Sequence, residues 1–96
     1  MKINLDGIKV KTTSGIDIFE DGKPLFIKEQ IASILATDTD PSRNGLKLLE
    51  LARKFDIEGE IDIDKADIKL VLEVVKSRPV SALIRGEIEE ILDKVD

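Results

Sequence analysis

The sequence predicts an α+β domain, in which a small N-terminal antiparallel β-meander is followed by a bundle of about four short helices. Two observations predict it. Apolar and polar residues alternate over residues 1–26, and from Ile27 onward apolar residues recur at helical spacing. A length of 96 residues suits one hydrophobic core. We therefore expect a single domain over residues 1–96, with the meander in 1–26 and the helical part in 27–96.

The first strands are predicted from a turn signal. Asp6-Gly7 is a favoured two-residue hairpin turn. Closing that turn pairs Leu5 with Ile8 and Ile3 with Val10. All four apolar side chains then lie on one face of the hairpin.

Two later reversals extend the same face. A turn at residues 13–15 sets Val10 opposite Ile18, and a turn at residues 21–22 sets Ile18 opposite Leu25. The other face of the predicted meander carries Lys9, Lys11 and Asp17.

Helical spacing predicts the first two helices. The first begins at Ile27 and ends near residues 37–41, where Pro41 disfavours further helix. For the second helix, Asp40 or Ser42 is the expected cap, and the helix is predicted to run to about Phe55. Its predicted buried stripe is formed by Leu48, Leu51, Ala52 and Phe55, widened by Leu49.

The last two helices follow the same rules. Asp64 is predicted to cap a helix over about residues 65–76, whose apolar residues lie almost all round it. We therefore expect this helix to form the buried centre of the bundle. The final helix is predicted from about Pro79 to Val95.

The composition excludes several classes of site. The chain has no cysteine and no histidine, which excludes disulfides, thiolate and imidazole metal ligands, and histidine-based triads. Aromatic residues make up 3%, all phenylalanine, which leaves little for stacking a sugar substrate. We expect no enzyme, no catalytic residues, no cofactor and no metal site.

The location expected from the sequence is the cytoplasm. No apolar run approaches the roughly 18 residues of a membrane span, so no membrane association is expected. The N-terminus lacks the apolar region of a signal peptide.

Acidic residues are concentrated in the second half of the chain. Residues 1–55 carry nine basic and eight acidic side chains, whereas residues 56–96 carry six basic and twelve acidic ones, giving a net charge of −5. The basic residues are too few and too scattered to displace counterions from phosphates, so direct nucleic-acid binding is not expected.

The strongest acidic pattern is predicted to be a stripe. Five carboxylates alternate with Ile57, Gly59, Ile61 and Ile63, and a period of two places all five on one side of an extended segment. Two interpretations are open: a solvated strand that discourages edge pairing, or a docking stripe for a basic protein partner. The stripe is formed by Asp56, Glu58, Glu60, Asp62 and Asp64.

A second candidate is a notch in the last helix. Gly86 costs about 1 kcal/mol relative to alanine inside a helix, and Ala82 lies one turn before it. Two explanations for this glycine are open. It is a tolerated surface residue, or it allows a close helix contact within the bundle or across a homodimer.

The segment from Asp38 to Gly45 resembles the start of a calcium loop, but its register fails. Counting from Asp38 places Gly45 at position eight instead of six. Counting from Asp40 leaves Glu50 one residue short of the bidentate position. A turn followed by a helix cap is the preferred interpretation.

The order of these signals resembles a group of small, largely uncharacterised proteins encoded by tailed bacteriophages and prophages. The resemblance spans roughly residues 20–93 and departs from the pattern at Phe26, where such proteins tend to place a capping threonine. It rests on Asp21 to Leu25, on Leu51 to Lys54, and on Asp67-Ile68, Pro79, Gly86 and Glu90 to Asp93. The resemblance implies a late-gene viral context, hence the host cytoplasm, and no catalytic residues.

We therefore expect a non-enzymatic protein–protein interaction module of a phage or prophage, serving virion assembly or modulating a host protein. The alternative is an acidic nucleic-acid mimic, in which the acidic stripe occupies a basic channel of a host defence enzyme.

Overall fold

The computed structural model describes residues 2–57 and 60–93 and confirms the α+β class. Within those residues, four helices accompany two small antiparallel sheets. The strands are β1 (Lys2–Asn4), β2 (Phe19–Glu20), β3 (Lys23–Pro24) and β4 (Glu60–Asp62). The helices are α1 (Ile27–Ala36), α2 (Gly45–Ile57), α3 (Lys65–Ser77) and α4 (Ala82–Asp93).

The N-terminal segments close on one another through a ring of three backbone hydrogen bonds. The amide of Val10 donates to the carbonyl of Leu25 at 2.8 Å, and the amide of Leu25 donates to Ile18 at 3.0 Å. The amide of Ile18 completes the ring by donating to Val10 at 3.0 Å. The predicted pairs Val10–Ile18 and Ile18–Leu25 are thus confirmed. Val10 also pairs directly with Leu25.

The predicted pairing of Ile3 with Val10 is wrong. The Asp6-Gly7 turn does form, with the amide of Ile8 donating to Leu5 at 3.2 Å, but the ladder does not continue past it. Instead β1 pairs with β4, and Ile3 lies opposite Ile61 in antiparallel register. Val10 is already engaged by the hydrogen-bond ring, so β1 finds its partner far along the chain.

Helix α1 starts without a side-chain cap. Phe26 occupies the N-cap position in an extended conformation, and its side chain makes no capping hydrogen bond. The first amide of the helix, that of Ile27, instead donates to the carbonyl of Ile8 at 3.0 Å. A backbone carbonyl of the N-terminal part thus does what a capping threonine does elsewhere, because the first amides of a helix need an acceptor.

The cap of α3 is confirmed, whereas the predicted caps of α2 are wrong. The Asp64 carboxylate accepts from the amide of Asp67 at 2.8 Å. Helix α2 begins at Gly45, and the Asn44 side chain accepts from the amide of Lys47 at 3.2 Å. Asp40 is instead occupied within the preceding turn, where it accepts from Ser42.

The last helix begins later than predicted. It starts at Ala82. The amide of Ile84 donates a hydrogen bond to the Ser81 hydroxyl oxygen at 3.4 Å. The predicted end at Val95 lies outside the described residues.

The bundle is centred on α1, so the prediction that α3 forms its centre is wrong. Helix α1 packs against α2, α3 and α4, and it buries Ile27, Ile31, Ala32, Ile34 and Leu35. Helix α3 buries one face only and leaves Leu70 and Leu72 partly exposed. The same core includes Ile3, Leu5 and Val10 from the N-terminal part, so both parts of the chain share it.

The β1–β4 pair gives a stability prediction. Ile61 is fully buried, whereas Ile57, four residues earlier, is 75% exposed. Ile61→Ala should lower the free energy of unfolding by about 2–5 kcal/mol, because it leaves a cavity. The matched control Ile57→Ala should change it by less than about 0.5 kcal/mol. Urea unfolding at low protein concentration measures both, and equal losses would contradict the observed burial.

Candidate functional site

The structure breaks the predicted acidic stripe into parts. Asp56 belongs to the last turn of α2, Glu60 and Asp62 lie in β4, and Asp64 caps α3; Glu58 lies outside the described residues. The prediction that residues 56–64 form a single extended face is therefore wrong. Helix α2 continues through Asp56 and Ile57, both of them exposed, beyond its last buried residue, Phe55.

Two of the acidic groups already have local roles. Glu60 forms an ion pair with Lys2 across the β1–β4 ladder, with 3.7 Å between the charged atoms and both side chains more than half exposed. Such a pair contributes at most about 1 kcal/mol. Asp64 holds an amide of α3, which commits one of its oxygens to helix capping. The carboxylates that most resemble a docking stripe thus also serve the fold.

The candidate notch is open. Gly86 is exposed, and among residues 2–57 and 60–93 no atom beyond its own helix backbone and chain neighbours lies within 4 Å of where a Cβ would stand. Ala82, one turn earlier, is also exposed. The version of the notch hypothesis that places a close helix contact within the bundle is therefore wrong. A contact with another copy of the chain stays a prediction.

The calcium-like segment is organised by an arginine. The side chain of Arg43 is 10% exposed, and its Nη1 lies 3.0 Å from Oδ1 of Asp38, which is 5% exposed. Nη1 also lies 3.4 Å from Asp40, while Nε lies 3.8 Å from Glu73 on α3 without a hydrogen bond. The guanidinium thus lies against both carboxylates of the loop, with Glu73 of α3 nearby. In the part of the chain described, no group of three acidic side chains is placed to hold a metal ion.

Contacts within this loop shift the ionisation of Asp40. Hydrogen bonds from the Ser42 hydroxyl at 2.7 Å and the Ser42 amide at 2.9 Å favour its charged form. These bonds, with a smaller contribution from Arg43, lower the pKa of Asp40 below its ordinary value of 3.8.

The most distinctive surface is the outward side of α2. Leu46 is 67% exposed and Ile57 is 75% exposed, whereas Leu49 is 38% exposed and lines a groove against α1. The opposite side of the same helix buries Leu48, Leu51, Ala52 and Phe55, as predicted. Because isolated exposed apolar residues are normal, the informative feature is that several lie on one helix.

This surface was missed by the sequence analysis for two reasons. Ile57 was assigned to an extended segment, and Leu49 was assigned to the buried stripe; both assignments are wrong. A helical wheel that begins at Gly45 places Leu46 and Ile57 opposite the stripe containing Leu48 and Phe55. The signal was present in the sequence, but it required the correct ends of α2.

Two open grooves accompany this face on other parts of the surface. One, of about 540 Å³, lies between the N-terminal segments and α4 and contains the Lys9–Asp17 ion pair at 3.6 Å. The other, of about 510 Å³, lies between α3 and α4 over Ile68 and Leu72, with lysines at its edge. The first groove is lined by charged side chains of both signs, among them Glu87 and Glu90, and the second by Glu73 and three lysines.

No family model, curated protein or solved structure matched this chain. Within the described residues, none of the helices has the length and apolar character that crossing a bilayer requires.

The lowered pKa of Asp40 predicts a pH dependence. A group whose pKa is depressed on folding adds stability above its unfolded value, and this stability is lost as the pH falls through the folded value. Asp40→Asn should therefore be less stable than wild type at neutral pH, and the difference should shrink as the pH falls below about 4. Thermal melts across this range test it, and a difference independent of pH would contradict it.

The open surroundings of Gly86 predict a stabilising substitution. Gly86→Ala should raise the free energy of unfolding by about 0.5–1 kcal/mol, through helix propensity alone. Gly86→Leu should be no less stable than wild type, because nothing described here crowds the site. Thermal melts at micromolar concentration measure both. A loss of about 1 kcal/mol or more for Gly86→Leu would instead indicate a packed contact at this position.

Proposed function

We propose that this chain is a non-enzymatic protein–protein interaction module, in the viral context that the sequence resemblance implies. The observation that carries the proposal is the outward side of α2, where Leu46 and Ile57 are exposed near the two ends of one helix face. The described core, in contrast, buries apolar residues from all four helices and from β1 and β4. Exposed apolar side chains on one face of a helix are common anchors for a protein partner.

The acidic residues that surround Ile57 in the sequence favour a partner with basic groups. Asp56 flanks Ile57, and Glu60 and Asp62 follow within a few residues. A partner with basic groups beside an apolar centre suits this end of α2. Virion assembly and modulation of a host protein are both consistent with such a module.

The nucleic-acid mimic is the weaker proposal. A mimic needs carboxylates in a regular array, and the described ones are divided among a helix, a strand and a cap. The exposed apolar face also has no role in such a mechanism. No observation on the described residues favours the mimic over the interaction module.

Removing the apolar side chains tests the proposal. The variant L46Q/I57Q should lose proteins that the wild-type chain captures from bacterial lysate, while retaining wild-type thermal stability. The matched control is I16Q/F19Q, because Ile16 and Phe19 are 66% and 61% exposed on the N-terminal part. Mass spectrometry of the captured proteins is the readout, and losses in both variants alike would contradict the proposal.

Salt separates the two proposed functions. Apolar docking on α2 should resist high salt, whereas capture through the acidic groups should be screened. Capture that is salt-sensitive, lost in D56N/E60Q/D62N and unaffected in L46Q/I57Q would favour the mimic and contradict the module.

A further inference from the structure

Four residues form a straight line along the outward side of α2. Leu46, Glu50, Arg53 and Ile57 are spaced at i, i+4, i+7 and i+11, and they fall within about 60° of the helix circumference. All four are exposed. Within residues 2–57 and 60–93, Glu50 and Arg53 form no ion pair with other side chains. The line therefore has apolar ends and two opposite charges at its centre, available to a partner.

The order of these residues is complementary to itself. Leu46 and Ile57 are equally far from the midpoint between Leu51 and Ala52, and so are Glu50 and Arg53. A two-fold axis through this midpoint, perpendicular to the helix, generates an antiparallel helix pair. In that pair, Leu46 lies opposite the partner's Ile57, and Glu50 lies opposite the partner's Arg53. Both apolar ends are covered, and both charges meet their opposites.

Other arrangements lose this match. A parallel pair in register places Glu50 against the partner's Glu50 and Arg53 against the partner's Arg53, and like charges across an interface are unfavourable. The charge order therefore selects the antiparallel orientation. Because α2 has 13 residues and is roughly 20 Å long, one helix pair gives a small interface, typical of weak association.

We propose that the partner of the α2 face is a second copy of this chain, docked antiparallel through Leu46, Glu50, Arg53 and Ile57. The inference rests on the proposed function, because both assign binding to the same face of α2. It adds the identity of the partner, the orientation and the residue pairs.

Introduced cysteines test the orientation, because the natural chain contains none. Equal amounts of L46C and I57C, mixed at about 1 mM under mild oxidation, should form a disulfide-linked heterodimer. Each variant alone should cross-link at least tenfold less, because like positions then lie roughly 16 Å apart along the helix. Dominant cross-linking of L46C to itself would overturn the antiparallel arrangement. The control I16C should cross-link no more than either single variant.

Charge exchange tests the residue pairs without a covalent bond. By sedimentation equilibrium, E50R and R53E should each associate at least tenfold more weakly than wild type, since each places like charges opposite each other. An equimolar mixture of the two should recover association, and so should the double variant E50R/R53E. Circular dichroism melts confirm that each variant is folded. Failure of the mixture to recover would overturn the proposed pairing.

These experiments distinguish failure of the proposed dimer from failure of the proposed interaction module. A wild-type chain that stays monomeric at about 1 mM overturns the proposed dimer. If L46Q/I57Q still loses captured proteins in that case, the α2 face binds a different protein and the interaction module stands. If the chain is monomeric and no capture depends on Leu46 or Ile57, both proposals fail.

Discussion

The burial of α1 is the constraint on which the rest of the structure depends. A ten-residue helix with five buried apolar side chains needs cover on several sides, and α2, α3 and α4 each supply part of it. The N-terminal segments meet the helix at its start, where Ile8 accepts from the amide of Ile27. The end of the helix is held by Arg78, whose Nη2 donates to the Thr37 hydroxyl at 2.8 Å. Both ends are thus fixed by groups distant in sequence, and the other helices are arranged around them.

The loop between α1 and α2 shows how a charged group can stabilise a turn without forming a binding site. Arg43 and Asp38 are both nearly buried, and their 3.0 Å contact lies beside two further carboxylates. Removing one partner of such a pair is costly, because the other charge then stays buried without compensation. The segment that resembles a calcium loop thus has its positive charge supplied by the protein itself. Its acidic residues serve the geometry of the turn.

The described core consists of apolar residues, which serve folding, whereas the side chains that a partner would contact lie outside it. Helix α2 divides these roles within a single element. One side packs through Leu51 and Phe55, while the opposite side displays Leu46 and Ile57 to solvent. Substitutions on the outward side should therefore have little effect on folding, which makes the proposed interactions accessible to experiment.

The sequence by itself determined the features that depend on neighbouring residues. The turn at Asp6-Gly7, the register of Ile18 against Leu25 and the Asp64 cap are all local, because each depends on a few consecutive side chains. The buried stripe of α2 was also predictable, since helical periodicity marks it directly.

Only the tertiary structure decided the features that join distant segments. The Asp6-Gly7 turn predicts Val10 as the strand partner of Ile3, but Val10 is engaged by the hydrogen-bond ring and Ile3 pairs with Ile61. Phe26 starts a helix because a carbonyl from another segment receives the first amide. The alternating segment after Phe55 forms a strand at residues 60–62, where β1 is its partner. In each case the energy comes from a contact whose two sides are far apart in sequence, which local propensity does not encode.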